Sequence, residues 1–276
     1  MQVRLEGALR KMAVDLEGSS ARYRLRCGDN ELPMNDLLGS RIKLRYLGEI
    51  NCVHCGRKTK KSFNQGYCYP CFTKLAECDS CIVSPEKCHF HLGTCRDPAW
   101  GEQYCFQSHI VYLANSSGLK VGITRGTQVP TRWIDQGAVQ ALPILRVDSR
   151  YQSGLVEHLF KAEVADKTNW RRMLKNDVDV LDLRAERDRL LDAIAGPLAE
   201  VEREFGLQAI QRIDAEEVRI EYPVLNFPLK VSSFNLDKQP EVEGELQGIK
   251  GQYLILDGGV INLRKFTAYQ VEFSTE

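Results

Sequence analysis

Near the start of the chain, RYRLRC and RIKLRYLGEI alternate or cluster apolar and charged residues between Gly, Asn and Pro turn signals, which predicts a β-rich segment over residues 1–50. The same texture returns over residues 207–276, where EVEGELQGIKGQYLILDGGVINLRKF reads as strands and Asp257-Gly258 marks a hairpin turn, so a small barrel or sandwich is expected there. Between these ends, residues 106–178 read as hairpin, short helix, strand and helix, with Pro130 placed to open the first helix and Ser153 to cap the second. In residues 179–206, VLDLRAERDRLLDAIAGPLAEVEREFG sets Leu190, Leu191, Ile194, Leu198, Val201 and Phe205 at helical spacing, with a kink or break at Gly196-Pro197. Such a charged amphipathic stretch needs a neighbour to cover its apolar side. Residues 51–105 stand apart as a cysteine-rich segment, and the whole reads as an α+β chain of five regions.

Composition narrows the possibilities. A chain of 276 residues is long enough for two or three small cores. Lys plus Arg equals Asp plus Glu, 37 against 37, so no global positive field draws it to nucleic acid, and any such role must come from a local patch. The opening MQVRLEGALRKMAVDL has no uninterrupted apolar core of a signal peptide, and no stretch approaches the roughly 18 apolar residues of a membrane span, so no membrane partner is expected. Ten cysteines without an export signal, several in CxxC pairs, favour metal binding over disulfides and predict a reducing cytoplasm.

The cysteine pattern is the strongest chemical signal. Cys52-x2-Cys55, a gap of twelve residues, then Cys68-x2-Cys71 delivers two close thiolate pairs that can close a tetrahedron around Zn²⁺. NCVHCGRKTKKSFNQGYCYPCF has the look of a zinc ribbon or treble clef, its first knuckle ending in Gly56, with His54 a bystander. A second cluster offers Cys78, Cys81, Cys88, His89, His91 and Cys95, six candidates for four places. Its simplest tetrad is Cys78, Cys81, Cys88 and Cys95, and either histidine, His91 included, could replace one of the last two cysteines. Cys27 and Cys105 are left as unpaired, buried small residues. Closed four-ligand sites leave no position for water, so both zinc ions are expected to be structural. Arg57, Lys58, Lys60 and Lys61 lie between the first two pairs, either facing phosphates or simply forming a solvated loop.

After the cysteines comes HIVYLANSSGLKVGIT, two short apolar strands around Ser116-Ser117-Gly118. A three-residue loop sets Tyr112 opposite Gly122 and Ala114 opposite Lys120, so a phenol, an ammonium and a side-chain-free gap share one face. Gly122 would let a backbone or a substrate approach closely. Tyr112 could equally be an aromatic strand residue packed on a helix.

IVYLANSSGLKVGIT resembles the signature hairpin of the GIY-YIG nuclease superfamily, with Ile110-Val111-Tyr112 in the place of the first motif and Lys120-Val121-Gly122 in that of the second. The resemblance spans roughly residues 106–172. It is extended by Arg132 on the following helix, by Glu157 on a later helix and by Asn169, which would close the site. Ile110 replaces the first motif's glycine, and Lys120 the second motif's tyrosine. The chain as a whole, with cysteines ahead of the hairpin, also resembles an uncharacterised bacterial family of unknown function.

The nuclease resemblance implies metal-dependent phosphodiester hydrolysis on DNA or RNA. Tyr112 would activate water, Glu157 would hold a mostly hydrated Mg²⁺ or Mn²⁺, and Arg132 would clamp phosphate oxygens. Lys120, in place of a tyrosine, could bind the same phosphate or lower the phenol's pKa, while His109 and His158 could assist proton transfer. Two other classes stay open: a zinc-containing DNA- or RNA-binding module without catalysis, and a zinc-stabilised protein-interaction adaptor using the amphipathic helix.

Overall fold

A computed structural model describes residues 3–164 and 168–276. In chain order it contains β1 (Arg4–Glu17), β2 (Ser20–Cys27), β3 (Asn30–Pro33), β4 (Arg41–Ile50), α1 (Tyr69–Lys74), α2 (Pro98–Cys105), β5 (His109–Asn115), β6 (Leu119–Arg125), α3 (Thr131–Asp135), β7 (Gln140–Val147) and α4 (Arg150–Phe160). There follow α5 (Trp170–Lys175), α6 (Leu183–Ala193), α7 (Ala195–Phe205), β8 (Ile210–Arg212), β9 (Val218–Arg219), β10 (Glu241–Lys250), β11 (Tyr253–Leu256), β12 (Gly259–Asn262) and β13 (Tyr269–Thr275). Short 3-10 turns fill most of the chain between α1 and α2. The fold is α+β with two antiparallel sheets, and among the described residues no helix is long and apolar enough to cross a membrane.

The two β-rich ends share one eight-stranded sheet, ordered β12-β11-β10-β4-β13-β1-β2-β3. β13 lies between β4 and β1, with Phe273 opposite both Leu44 and Leu5. β1 serves two neighbours in turn, pairing β13 through Arg4–Ala8 and β2 through Leu9–Glu17, with a register shift between Arg10 and Ala13. Asp257-Gly258 joins β11 to β12 in a two-residue turn, Leu256 opposite Gly259, and the Asp257 carboxylate accepts from Gly258 N at 2.9 Å.

The second sheet runs β6-β5-β7-β8, with β9 also on β7. Its β5–β6 hairpin has the register that an odd loop demands: Asn115 opposite Leu119, Ala114 opposite Lys120, Tyr112 opposite Gly122. Alternation along β5 then divides two cores. Val111 and Leu113 join Val156 and Phe160 of α4 and Leu190, Leu191, Ile194 and Leu198 of the amphipathic stretch. Ile110, Tyr112 and Ala114 face the other way, into the core that includes Trp133 and Ile134 of α3 and the large sheet.

Two helix boundaries differ from the sequence reading. The amphipathic stretch breaks at Ile194, and Gly196-Pro197 falls in the first turn of α7, where a missing N–H leaves no helical bond unmade. Ser149, not Ser153, caps α4: its hydroxyl accepts from Gln152 N at 3.2 Å while Gln152 Oε1 accepts from Ser149 N at 3.1 Å, a reciprocal capping box. Ser153 lies inside the helix and donates back to Arg150 O at 2.7 Å.

Candidate functional site

Two centres arise from the sequence motifs, one built on sulfur and one on the hairpin. At the first, Gly56 takes φ +69° and its N–H closes on Cys52 O at 2.9 Å, turning the chain so that Cys52 and Cys55 converge. Cys68 precedes α1 and Cys71 lies in it, so the second pair meets the first from a helix start. The four sulfurs lie within 4.8 Å of one another, and Cys55 Sγ to Cys68 Sγ is 3.8 Å. A tetrahedron of Zn–S bonds of about 2.3 Å has edges of about 3.8 Å, so the donor set fits a metal such as zinc. Burial raises the pKa of Cys52, but the N–H groups of Cys55, Cys68 and His54 more than offset it and leave that thiol at about 6. Among the basic run, Lys58 pairs with Glu49 at 2.6 Å and Lys61 lies over the Phe63 ring. All four side chains are exposed.

Cys78 turns toward Asn64 and the first site, and His91 is exposed with its ring stacked on Tyr151. Cys81, Cys88, His89 and Cys95 line one small cavity together with Asp79 and with Cys105 from the end of α2, a residue read from sequence as an unpaired thiol.

The hairpin centre is built around Tyr112. Its phenol donates to Gln136 Oε1 at 3.3 Å, its ring packs edge-on against Trp133 at 5.9 Å, and its hydroxyl lies within hydrogen-bond reach of Arg132. The gap at Gly122 is filled by the phenol itself, since a Cβ there would stand 2.6 Å from Tyr112 Oη. Tyr112 is fully buried, and burial pushes its pKa up to about 12, the charge of Glu157 adding to the rise while Arg132 and Gln136 oppose it. A phenol so held keeps its proton at neutral pH and donates, which does not suit it to take a proton from water.

Arg132 and Gln136 owe their position to the residue between them. Asp135 accepts from Gln252 Nε2 at 2.8 Å and pairs with Lys11, and Gln252 Oε1 in turn accepts from Met12 N at 2.8 Å. These bonds fasten the end of α3 to the large sheet. Glu157 is half-buried on α4, whose next residue, His158, is exposed. Lys120 is buried and donates to Thr168 Oγ1 at 3.0 Å. Asn169 plays a local part: its side chain caps α5, accepting from Arg171 N and Arg172 N at 3.2 Å, and its N–H donates to Ser117 Oγ at 2.8 Å. His109 is buried with Nδ1 against Gln107 O at 2.6 Å, and burial lowers its pKa to about 4. An open cleft of about 220 Å³ lies at the hairpin turn, beside Ser117 and Arg172.

Residues 39–271 match the family described as "Protein of unknown function (DUF2797)". The chain belongs to that family. No curated protein and no solved structure matches it. The DUF2797 match takes in both cysteine clusters, the hairpin and most of the second β-rich end, while β1, β2 and β3 lie ahead of it.

Within this DUF2797 chain, the turn after β12 also brings Arg264 into the field of Arg132 and Asp135, which the sequence reading missed. Its pKa is lowered first by burial and then by the charge of Arg132, and its Nε donates to Gln65 beside the first cysteine site. The carboxylate of Asp135 opposes both burial and Arg132, raising the Arg264 pKa. Nothing local marks Arg264 or Gln136 in sequence; Gln136 meets Tyr112 only because α3 packs on the hairpin.

Proposed function

We propose that this protein is a metal-dependent nucleic-acid phosphodiester hydrolase of GIY-YIG-like character, carrying a structural zinc at Cys52, Cys55, Cys68 and Cys71. The observation that carries the reading is the gathering of Tyr112, Arg132 and Glu157 into one electrostatically coupled group from three separate elements. Arg132, with Arg264 in its field, binds the phosphate oxygens and the charge that builds on them. Glu157 offers a single carboxylate, which suits a largely hydrated Mg²⁺ or Mn²⁺. When bound, that ion supplies charge neutralisation on the phosphate and an acidified water. Tyr112 keeps its proton, donates it in a hydrogen bond to Gln136 Oε1, and positions Arg132, which lies within hydrogen-bond reach of the phenol oxygen.

The test is cleavage of labelled single-stranded, duplex and branched DNA and of RNA with Mg²⁺ or Mn²⁺, run on gels. Wild type is expected to cut, Glu157→Gln to bind without cutting, and Tyr112→Phe, which frees Arg132 and Gln136 from the phenol, to cut more slowly. Cutting undiminished in Glu157→Gln overturns the site, and no cutting by wild type overturns the hydrolase.

A second reading, a nucleic-acid-binding module without catalysis, is favoured by the full burial of Tyr112 and by Lys120 standing where the superfamily hairpin has its second tyrosine. Retarded bands without product, weakening steeply with salt, select it. Neither product nor retardation selects a zinc-stabilised adaptor.

A further inference from the structure

We infer that Cys81, Cys88, Cys95 and Cys105 form a second tetrathiolate metal site, for a thiophilic dication such as Zn²⁺, and that Cys78 lies outside it. The four thiols line one cavity of about 20 Å³, together with Asp79, His89 and Arg96 and with apolar groups such as Phe90 and Trp100. That is room for a single water-sized body. Cys95 Sγ rests on α2, 3.5 Å from where a Cβ on Gly101 would stand, so the absence of a side chain there admits the sulfur.

The surroundings fit the charge such a site carries. Four thiolates and a dication sum to minus two once the thiol protons leave to solvent. Arg150 reaches the Cys105 thiol and donates to Ile82 O at 3.4 Å. Arg96, on the same cavity, bonds Asp79 at 2.7 Å and the carbonyls of Phe72 and Leu75 at 3.1 and 3.2 Å. Cations so placed stabilise thiolates and hold the outer layer of a metal site.

A competing donor trio, Asp79, Cys81 and His89, has its atoms within 4.8 Å of one another. It suits a supporting layer better. Asp79 is already neutralised by Arg96, and both ring nitrogens of His89 are engaged, Nδ1 with Thr94 Oγ1 at 2.8 Å and Nε2 facing Asp79 Oδ2 at 3.5 Å. Cys78, with its thiol on Asn64 and within the field of Cys52, belongs to the wall of the first site.

Native mass spectrometry of the full chain, purified reduced from zinc-supplemented cells, reads the stoichiometry. Two zinc ions are expected in wild type, two in Cys78→Ser and one in Cys105→Ser. One ion in wild type, two in Cys105→Ser, or loss of an ion in Cys78→Ser overturns the assignment. Zinc-edge X-ray absorption on wild type needs no variant to fold: an all-sulfur shell at about 2.3 Å is expected, and a nitrogen component overturns the tetrathiolate.

Discussion

The phenol of Tyr112 occupies the space that the missing side chain of Gly122 leaves directly across the hairpin: the two residues are register partners, and a Cβ on Gly122 would stand 2.6 Å from Oη and 2.7 Å from Cζ. The glycine is there for the tyrosine. Because Tyr112 is fully buried, its ring has little freedom to yield. Gly122→Ala is therefore expected to cost about 1–3 kcal/mol by overpacking. Urea unfolding measures it, and Tyr112→Leu in the same chain should recover most of the loss. Full stability in the single variant would show that the ring moves aside freely.

Arg132 and Arg264 come from α3 and from the segment just after β12, yet the charge of one lowers the pKa of the other. If they hold one phosphate, alanine at either position weakens nucleic-acid binding and reduces the slope of log affinity against log salt by about one. Fluorescence anisotropy across a salt series measures this. Unchanged slopes would place the binding surface elsewhere.

His109 is buried and its pKa falls from 6.5 to about 4 on folding. Between those values the unfolded chain binds a proton that the folded chain does not, so its share of stability is complete above about 6.5 and is lost as pH falls toward 4. The loss is on the order of 3 kcal/mol. Unfolding measured at steps of pH should show the slope in wild type and a flatter one in His109→Leu.

Gly154 in α4 seats the Pro85 turn of the cysteine segment, and an added Cβ would stand 2.5 Å from the backbone nitrogen of Glu86. Backbone cannot swing away as a side-chain tip can. Gly154→Ala should lower stability by about 1–3 kcal/mol and speed zinc release to a chromogenic chelator. Release at the wild-type rate would separate α4 from the cysteine segment.

How much of this was legible depended on how local the signal is. The hairpin register follows from loop length, the Asp257-Gly258 turn from its dipeptide, and the Cys52–Cys71 cluster from two CxxC pairs, all within a few residues of chain. The α4 cap was also legible, because Ser149 and Gln152 have capping-box spacing; Ser153 was the wrong serine to weigh. The pairing of β13 with β1 and β4, the arrival of Cys105 on the cavity of Cys81, Cys88 and Cys95, and the placing of Arg264 in the field of Arg132 were not. Those depend on contacts between distant segments, to which the periodicity of any single segment is blind.

The place of β13 between β1 and β4 fixes an order of events during synthesis. The large sheet has a gap at its centre until the strand made after all the others has emerged, while the first cysteine site draws on only the short span from Cys52 to Cys71. On the ribosome, then, the metal-binding segment can close early and wait, and the sheet that joins the two ends is completed last.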